Sequence, residues 1–304
     1  MMHQDGSVSV SVGLTDMGQG LATGTAQIAA EALGIPFSRV RVNPIDTHLV
    51  PDSGPTVASR GTIMSGKPVI EAARVIKQKI LERAALKMGV PAASLEIAGG
   101  MIRAISGAKP ATPPAQPVPP IPYEEIVGEI FAAGEQLTEV GWYRPPRPAY
   151  DAATGLGVAY NSYCYATQVA EVTVDTLTGR VTLDRFWAAH DIGQAINPQL
   201  VEGQIEGGVV QGMGYALTER LQMKDGYCLN RGLTDYLIPT SLDIPEKIHI
   251  SLLESEHAEG PYRAKGIGDP SLTPVAAAIR NAVTHALGIE VAELPMVPEK
   301  IREL

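Results

Sequence analysis

A mixed α/β (α+β) fold of repeated strand–turn–helix units in two lobes is predicted by three features of the 304-residue sequence. A strand with one buried face runs into a glycine turn and then a helix. The turn motifs recur in the second half of the chain. A Pro/Ala-rich stretch separates the two halves. With 45% hydrophobic and 19% charged residues the chain has the balance of a globular protein. No stretch approaches the ~20 uninterrupted apolar residues of a bilayer span. The start Met1-Met2-His3-Gln4-Asp5-Gly6 has neither the basic end nor the apolar run of a signal peptide, so a cytoplasmic location is expected.

The first strand is Ser7-Val8-Ser9-Val10-Ser11-Val12, where Val and Ser alternate with the period of a half-buried strand. It enters the turn Asp16-Met17-Gly18-Gln19-Gly20. Leu21 to Leu33 then suits a helix, stopped by Gly34 and Pro36. A second strand, Val40 to Val42, leads through a polar loop to a helix at about Lys67 to Met88, with Pro68 in its first turn and Gly89 beyond its end. From Ser106 to Pro122 the composition is that of an extended linker without secondary structure. The stretch Trp142-Tyr143-Arg144-Pro145-Pro146-Arg147-Pro148 is irregular. From Tyr163 the strand pattern resumes with Ala170 to Asp175, and a hairpin turns at Thr178-Gly179 into a return strand from Val181 to Ala188. These signals divide the chain into a first repeat (1–105), a Pro-rich linker and irregular segment (106–160) and a second repeat (161–304).

Twenty-four Lys and Arg against 33 Asp and Glu give a net charge of -9. Such a chain repels phosphate backbones and anionic bilayers, which argues against nucleic acid or a membrane surface as partner. Cys164 and Cys228 are far apart in sequence and form no C-x-x-C pair, so neither zinc nor an iron–sulfur cluster can be held by this chain's thiols alone. Both read as core thiols.

The halves echo one another. Asp16-Met17-Gly18-Gln19 recurs as Asp191-Ile192-Gly193-Gln194, Gly54-Pro55-Thr56-Val57-Ala58 as Gly260-Pro261-Tyr262-Arg263-Ala264, and Pro68-Val69 as Pro274-Val275. The last two pairs share one offset and the first has a shorter one, so the second copy carries roughly thirty additional residues between its motifs.

Glycine turns at helix starts expose backbone N–H groups where the helix dipole favours an anion. Gly18-Gln19-Gly20, the Gly207-to-Gly212 segment and Ser59-Arg60-Gly61-Thr62 are three such places; any one alone is equally consistent with a tight turn or close packing. Gly18, Gly20 and Gly24 are spaced G-x-G-x-x-x-G, one residue off the dinucleotide fingerprint.

Taken in order, Asp16-Met17-Gly18-Gln19-Gly20, Ala58-Ser59-Arg60-Gly61-Thr62, Ile196-Asn197-Pro198, Glu202-Gly203-Gln204-Ile205-Glu206-Gly207-Gly208, Gln211-Gly212, Gly260-Pro261 and Ala264-Lys265-Gly266-Ile267-Gly268 resemble the molybdopterin-binding subunit of the xanthine dehydrogenase and aldehyde oxidase family. The likeness runs from about Asp5 to Lys300 and matches the second half of that family's large subunit. It implies a molybdenum–molybdopterin cofactor, in its cytosine dinucleotide form, with no protein side chain ligating the metal. Cofactor contacts are implied at Met17, Gly18, Gln19, Gly20, Ala58, Ser59, Arg60, Gly61, Thr62, Gln204, Lys265, Gly266 and Gly268. The implied partners are the other half of the molybdopterin-binding subunit, an Fe-S subunit, an FAD subunit and a small-molecule substrate.

The resemblance also places a general base after the Lys-Gly-x-Gly motif, where the family has glutamate and this chain has Asp269. The shorter stem loses roughly an ångström of reach, and a base must come within about 3 Å of the proton it takes, directly or through one water. The same Asp269-Pro270 pair also fits a helix N-cap followed by Pro at the first helical position. Lys265 is expected beside the cofactor. His190-Asp191 and Asp46-Thr47-His48 read as structural, and Asp235-Tyr236 and Pro239-Thr240 as fold residues. The expected function is hydroxylation of an aldehyde or N-heterocycle with water, electrons passing to the Fe-S and FAD subunits; the alternatives are a non-catalytic cofactor-binding or assembly subunit with a degenerate site, and a nucleotide-binding oxidoreductase that uses the Gly18–Gly24 turn.

Overall fold

A computed structural model of the chain describes residues 1–105, 119–147 and 149–304. These fold into two units. The first comprises Met1–Asn161 with Ala258–Ala264, the second Ser162–His257 with Lys265–Leu304. Most of the Pro/Ala-rich segment (106–118) and Pro148 lie outside the described residues.

In the first unit β1 (Val8–Val10) pairs in parallel with β2 (Val40–Val42), Val8 opposite Val40. Between them α1 (Leu21–Leu33) buries Leu21, Thr25, Ile28, Ala29 and Leu33, one stripe at helical spacing. It ends at Gly34, whose φ of 81° is the left-handed closure and whose missing side chain leaves room for the Ile97 carbonyl.

After β2 comes α2 (Gly61–Met88), six residues longer at its start than sequence signals predict. Gly61, Ser65 and Gly66 are poor helix formers, and tertiary packing decides the matter. A Cβ on Gly66 would fall 2.7 Å from Pro261 and 2.9 Å from Ile28, so α2 begins where α1 and the 258–264 segment hold it. Pro68 therefore lies inside the helix instead of in its first turn, and the Met64 carbonyl loses its usual N–H partner.

A meander follows, β3 (Leu95–Ala98), β4 (Met101–Ala104) and β5 (Ile121–Pro122), all antiparallel. The C-terminal end of the expected linker is thus a strand. Next, α3 (Tyr123–Ala132) buries Tyr123, Ile126, Val127 and Ile130. The segment expected to be irregular therefore supplies core, with Ile80, Ala84, Ile102 and Leu137 as neighbours. The short pair β6 (Tyr150–Asp151) and β7 (Leu156–Gly157) closes this part of the chain.

The second unit is built on a three-stranded sheet. Its strands are β8 (Ala166–Val174) and β9 (Val181–Asp191), an antiparallel hairpin turned by Asp175 to Arg180, and β12 (Lys247–Leu253), parallel to β9 on its other side. A small hairpin, β10 (Met223–Lys224) and β11 (Tyr227–Cys228), precedes β12. Asn197 caps α4 (Pro198–Leu217) by accepting from the Leu200 N–H at 3.1 Å, with Pro198 at the first helical position. The unit closes with α5 (Gly268–Leu272), α6 (Val275–Leu287) and α7 (Pro298–Glu303). Phe186, Ile205, Val209, Val275, Ile279 and Val283 form its core. Cys164 and Cys228 are both partly exposed, which corrects their reading as core thiols: each sits in a loop or edge hairpin with one face to water.

The motif echo corresponds to an architectural one. Each unit runs strand, loop, helix, parallel strand, loop, helix: β1, α1, β2, α2 in the first and β9, α4, β12, α5–α6 in the second. Two differences stand out. Pro274 interrupts α5–α6 where α2 runs through Pro68, and among the described residues β1 has beside it only the antiparallel bridge of Met2 to Val8 where β9 has the full strand β8.

Candidate functional site

In each unit the loops that follow two parallel strands meet at one end of the sheet, the general location of ligand crevices in such sheets. In the first unit these are the Asp16–Gly20 and Ala58–Thr62 loops. The Thr15 N–H donates to Thr56 Oγ1 at 2.8 Å, and a Cβ on Gly61 would lie 3.3 Å from Leu21. The structure thus brings the two predicted cofactor segments of this half together. A 350 Å³ hollow lined by Leu14, Asp16, Leu21, Ala22 and Asn43 adjoins them.

The two loops are built differently. Around α1 the donors are committed to the loop itself. Asp16 accepts from Gly18, Gly20 and Ala22, and Gln19 accepts from Met17 while donating to the Thr15 carbonyl at 2.9 Å. Burial pushes the Asp16 carboxyl up, but three N–H groups outweigh it and hold it below the usual range. The amide of Gln19, expected to face a pterin, is turned back to shape its own turn, and one Nε2 proton is left for a ligand. Gly18, at φ 107°, holds a backbone other residues rarely adopt, and Met17 is 70% exposed.

Around α2 the donors stay open. No side chain caps its start, and the two residues before Arg60 are both left-handed, Ala58 and Ser59 at φ 52°. Such backbone strain costs of order 1–3 kcal/mol per residue and concentrates at ligand sites. Arg60 anchors Nη1 to the Ser53 and Pro55 carbonyls, 2.9 Å each, which leaves Nε and Nη2 for a ligand. The N–H groups of Gly61 and Thr62, the Thr62 hydroxyl, the dipole of a 28-residue helix and a tethered guanidinium are the groups with which this helix start could hold an anion.

In the second unit α4 carries glycines of two kinds. Gly208 and Gly212 meet α5 and α6, where a Cβ would fall 2.2 Å from Ser271 Oγ and 2.4 Å from Val275. Gly203 and Gly207 face open space and leave bare helix backbone on the side that carries Gln204. The loop after β12 supplies Lys265, Gly266 and Gly268. The Gly266 carbonyl accepts from Cys164 Sγ, and the Gly268 carbonyl from Ser271 Oγ at 2.6 Å.

Asp269 is exposed and is the second residue of α5, with Ile267 at the N-cap, so the N-cap reading is corrected. Pro270, which has no N–H to be capped, sits two places further in than that reading requires.

Lys265 has a different place from the one expected. It is buried and ion-paired with Asp191 at 2.6 Å, and it also donates to Ser255 Oγ at 2.8 Å and the Tyr163 carbonyl at 2.9 Å. An ammonium has three protons, and all are taken. Lys265 therefore positions its loop and has no donor left for a cofactor. Burial raises the Asp191 carboxyl, but Lys265, Ser255 and the Gly193 N–H together bring it below the usual range. His190 is fully buried, bonded to Gln168 at 2.9 Å, and burial lowers its affinity for a proton, as a neutral structural imidazole requires. Asp46 accepts from the His48 N–H and turns its own loop.

Sequence reasoning missed Asp16 as the organiser of its loop, although it stands first in the repeated motif, while Asp191 has the structural place expected of it. It also missed Tyr143, whose hydroxyl donates to Glu259 at 2.6 Å and is pushed up to about 12 by burial and that carboxylate. Among the described residues no cluster of three or more His, Cys, Asp or Glu could hold a metal ion, and no helix is long and apolar enough to cross a membrane. The donors present fit a ligand held through phosphate and ring edges.

Comparison with known proteins agrees with that chemistry. Residues 1–245 match the family model of the molybdopterin cofactor-binding domain. The chain is 32% identical over 307 residues to the xanthine dehydrogenase molybdenum-binding subunit of Escherichia coli O157:H7, covering 100% of this chain and 38% of that protein. It is 30% identical to xanthine dehydrogenase/oxidase of Rattus norvegicus, covering 99% and 21%. Quinoline 2-oxidoreductase from Pseudomonas putida 86 superposes with a TM-score of 0.82 at 29% identity, over 99% of this chain and 37% of that one. Aldehyde oxidoreductase from Desulfovibrio desulfuricans gives 0.77 at 29% identity, over 99% and 29%. The chain thus spans less than two-fifths of the length of these relatives. It belongs to the molybdopterin cofactor-binding domain family of the xanthine dehydrogenase and aldehyde oxidase type.

Proposed function

We propose that this chain is the cofactor-binding portion of a molybdenum hydroxylase that converts an aldehyde or an electron-poor N-heterocycle to its hydroxylated product. Water supplies the oxygen, one C–H bond becomes C–OH, and two electrons and two protons are released. The electrons leave through Fe-S and FAD centres carried by partner subunits, and the rest of the molybdopterin-binding subunit completes the pocket. The observation that carries this reading is the open donor set at the start of α2, in a chain of this family.

The bound molybdenum–molybdopterin, in its cytosine dinucleotide form, supplies the two-electron chemistry. The chain's residues bind and orient it. Arg60 and the first N–H groups of α2, from Gly61 and Thr62, take its phosphate, with Ala58 and Ser59 setting the loop. The Met17–Gly20 turn, held by Asp16, presents backbone and the remaining Gln19 proton. Gln204 and the bare backbone beside it meet a ring edge, and Gly266 and Gly268 let the following loop approach closely. Lys265 positions that loop through Asp191. Asp269 is the base that accepts the proton released at the reacting oxygen, directly or through one water.

The test uses the complex purified with its native partners. About one molybdenum per chain, with pterin released on denaturation, is the expected content. Asp269→Asn should keep that content and lose about 10²- to 10⁴-fold in turnover. The one-methylene deficit of Asp269 favours a second reading, a cofactor-binding subunit without turnover. In that case wild type and Asp269→Glu are both inactive on aldehydes and N-heterocycles while fully loaded with cofactor. A complete native complex with neither molybdenum nor pterin would reject both.

A further inference from the structure

Among the described residues the sheet around β1 lacks one strand that the sheet around β9 has. In the second unit β9 is flanked by β12 in parallel and by β8 antiparallel, and α6 packs on β8. In the first unit β1 has its parallel partner β2, but its other edge carries only a stub. There Met1 and Ser9 exchange two backbone hydrogen bonds, and the His3 N–H donates to the Ser7 carbonyl at 2.8 Å, antiparallel pairing of the β8–β9 kind. On its far side Met2 bridges to Leu137, again antiparallel.

Beyond Met1 the pairing stops and a groove of about 760 Å³ begins. One wall is β1 and its extension, where the alternation that points Ser9 outward points Ser11 the same way. The opposite wall is Thr138 to Pro145, with Val140 84% exposed and Trp142 65% exposed. The floor is α2 at Val69, Ala72 and Ile76, and in the second unit the corresponding helix α6 packs on β8. Edge, wall and apolar floor together describe a slot for one extended segment.

We propose that this slot receives a β-strand from the part of the molybdenum-binding subunit that lies outside these 304 residues. The strand runs antiparallel to β1 and continues the line of Met1–His3, with alternate apolar side chains on α2. The occupant is argued from two observations: the completed β8–β9 pair is the template, and the relatives are more than twice as long as this chain. Backbone pairing supplies affinity and the alternating side chains supply register. The assignment rests on the proposed function, which supplies the partner.

The test is photo-crosslinking within the native complex, with p-benzoylphenylalanine placed at the exposed Val140. The expected product joins this chain to a subunit segment outside these residues that has alternating apolar positions. Ala72→Glu, which charges the floor, should abolish that product and speed amide exchange at Ser11 by about tenfold or more. Crosslinks confined to this chain, to a second copy of it or to an Fe-S or FAD subunit would overturn the proposal, as would amides at Ser11 that exchange equally fast with and without the Ala72→Glu charge. Molybdenum and pterin are measured on the same sample. Their presence with the wrong crosslink rejects the strand alone, and their absence with the expected crosslink rejects the cofactor reading alone.

Discussion

Asp16 and Asp191 open the same four-residue motif, Asp-x-Gly-Gln, each at the exit of a strand, and they have different partners. Asp16 accepts from three backbone N–H groups and caps the turn that starts α1. Asp191 is buried, accepts from Gly193 and Ser255, and holds the ammonium of Lys265. The first copy spends its carboxylate on local backbone. The second spends it on a loop 74 residues further along the chain. A duplicated motif therefore conserves a turn and leaves its wiring to the surroundings: where a cation reaches the aspartate, the pair orders a distant loop, and where none does, the aspartate orders its own.

The largest effect that would break this comparison is at the buried pair. Lys265→Met leaves Asp191 charged and unpaired in the interior and should cost about 3–5 kcal/mol in chemical denaturation. Adding Asp191→Asn should recover much of that loss, since removing both charges is close to neutral where packing survives. Asp16→Ala removes only a cap, and about 0.5–2 kcal/mol is expected by the same measurement. Equal losses at the two aspartates would sink the distinction.

Both aspartates are held below their usual range, so both stabilise in the same direction of pH. A depressed carboxyl gives its full stabilisation above the unfolded value, near roughly pH 4, and loses it as pH falls through the lower folded value. Acid titration of stability should therefore show a drop below about pH 4 that is smaller in Asp16→Ala and smaller still in the Lys265→Met, Asp191→Asn double variant. The smallest effects concern glycine. Gly18→Ala, with space around it but φ 107°, should cost roughly 1–2 kcal/mol through the backbone alone. Gly203→Ala, mid-helix and unobstructed, should instead stabilise by about 0.5–1 kcal/mol while lowering cofactor content, if the bare backbone of α4 meets the cofactor.

Legibility in the sequence followed the range of the deciding force. Leu21–Leu33 and Val40–Val42 coincide with their elements because spacing, Gly34 and alternation are local signals. The start of α2 was missed because Gly61 to Gly66 become helical only by packing on α1 and Pro261. The helix α3 carries a plain apolar spacing at Tyr123, Ile126, Val127 and Ile130, but it abuts a Pro/Ala-rich stretch whose composition dominates the window. The family was legible from the order of its motifs. That Gln19 and Lys265 serve their own loops was not, since it depends on which acceptors the fold brings within reach.

By itself the sequence determined the periods, the stops and the repeat: strands where Val alternates with Ser, helices closed by glycine, and two copies of one turn. Tertiary structure decided which charges are paired, which helix starts stay open, and that β1 is flanked on one edge by the short Met1–His3 stub where β9 is flanked by the full strand β8. The physical reason is that propensity and periodicity act over a few residues, whereas desolvation, ion pairing and backbone satisfaction depend on groups that folding brings together from far along the chain.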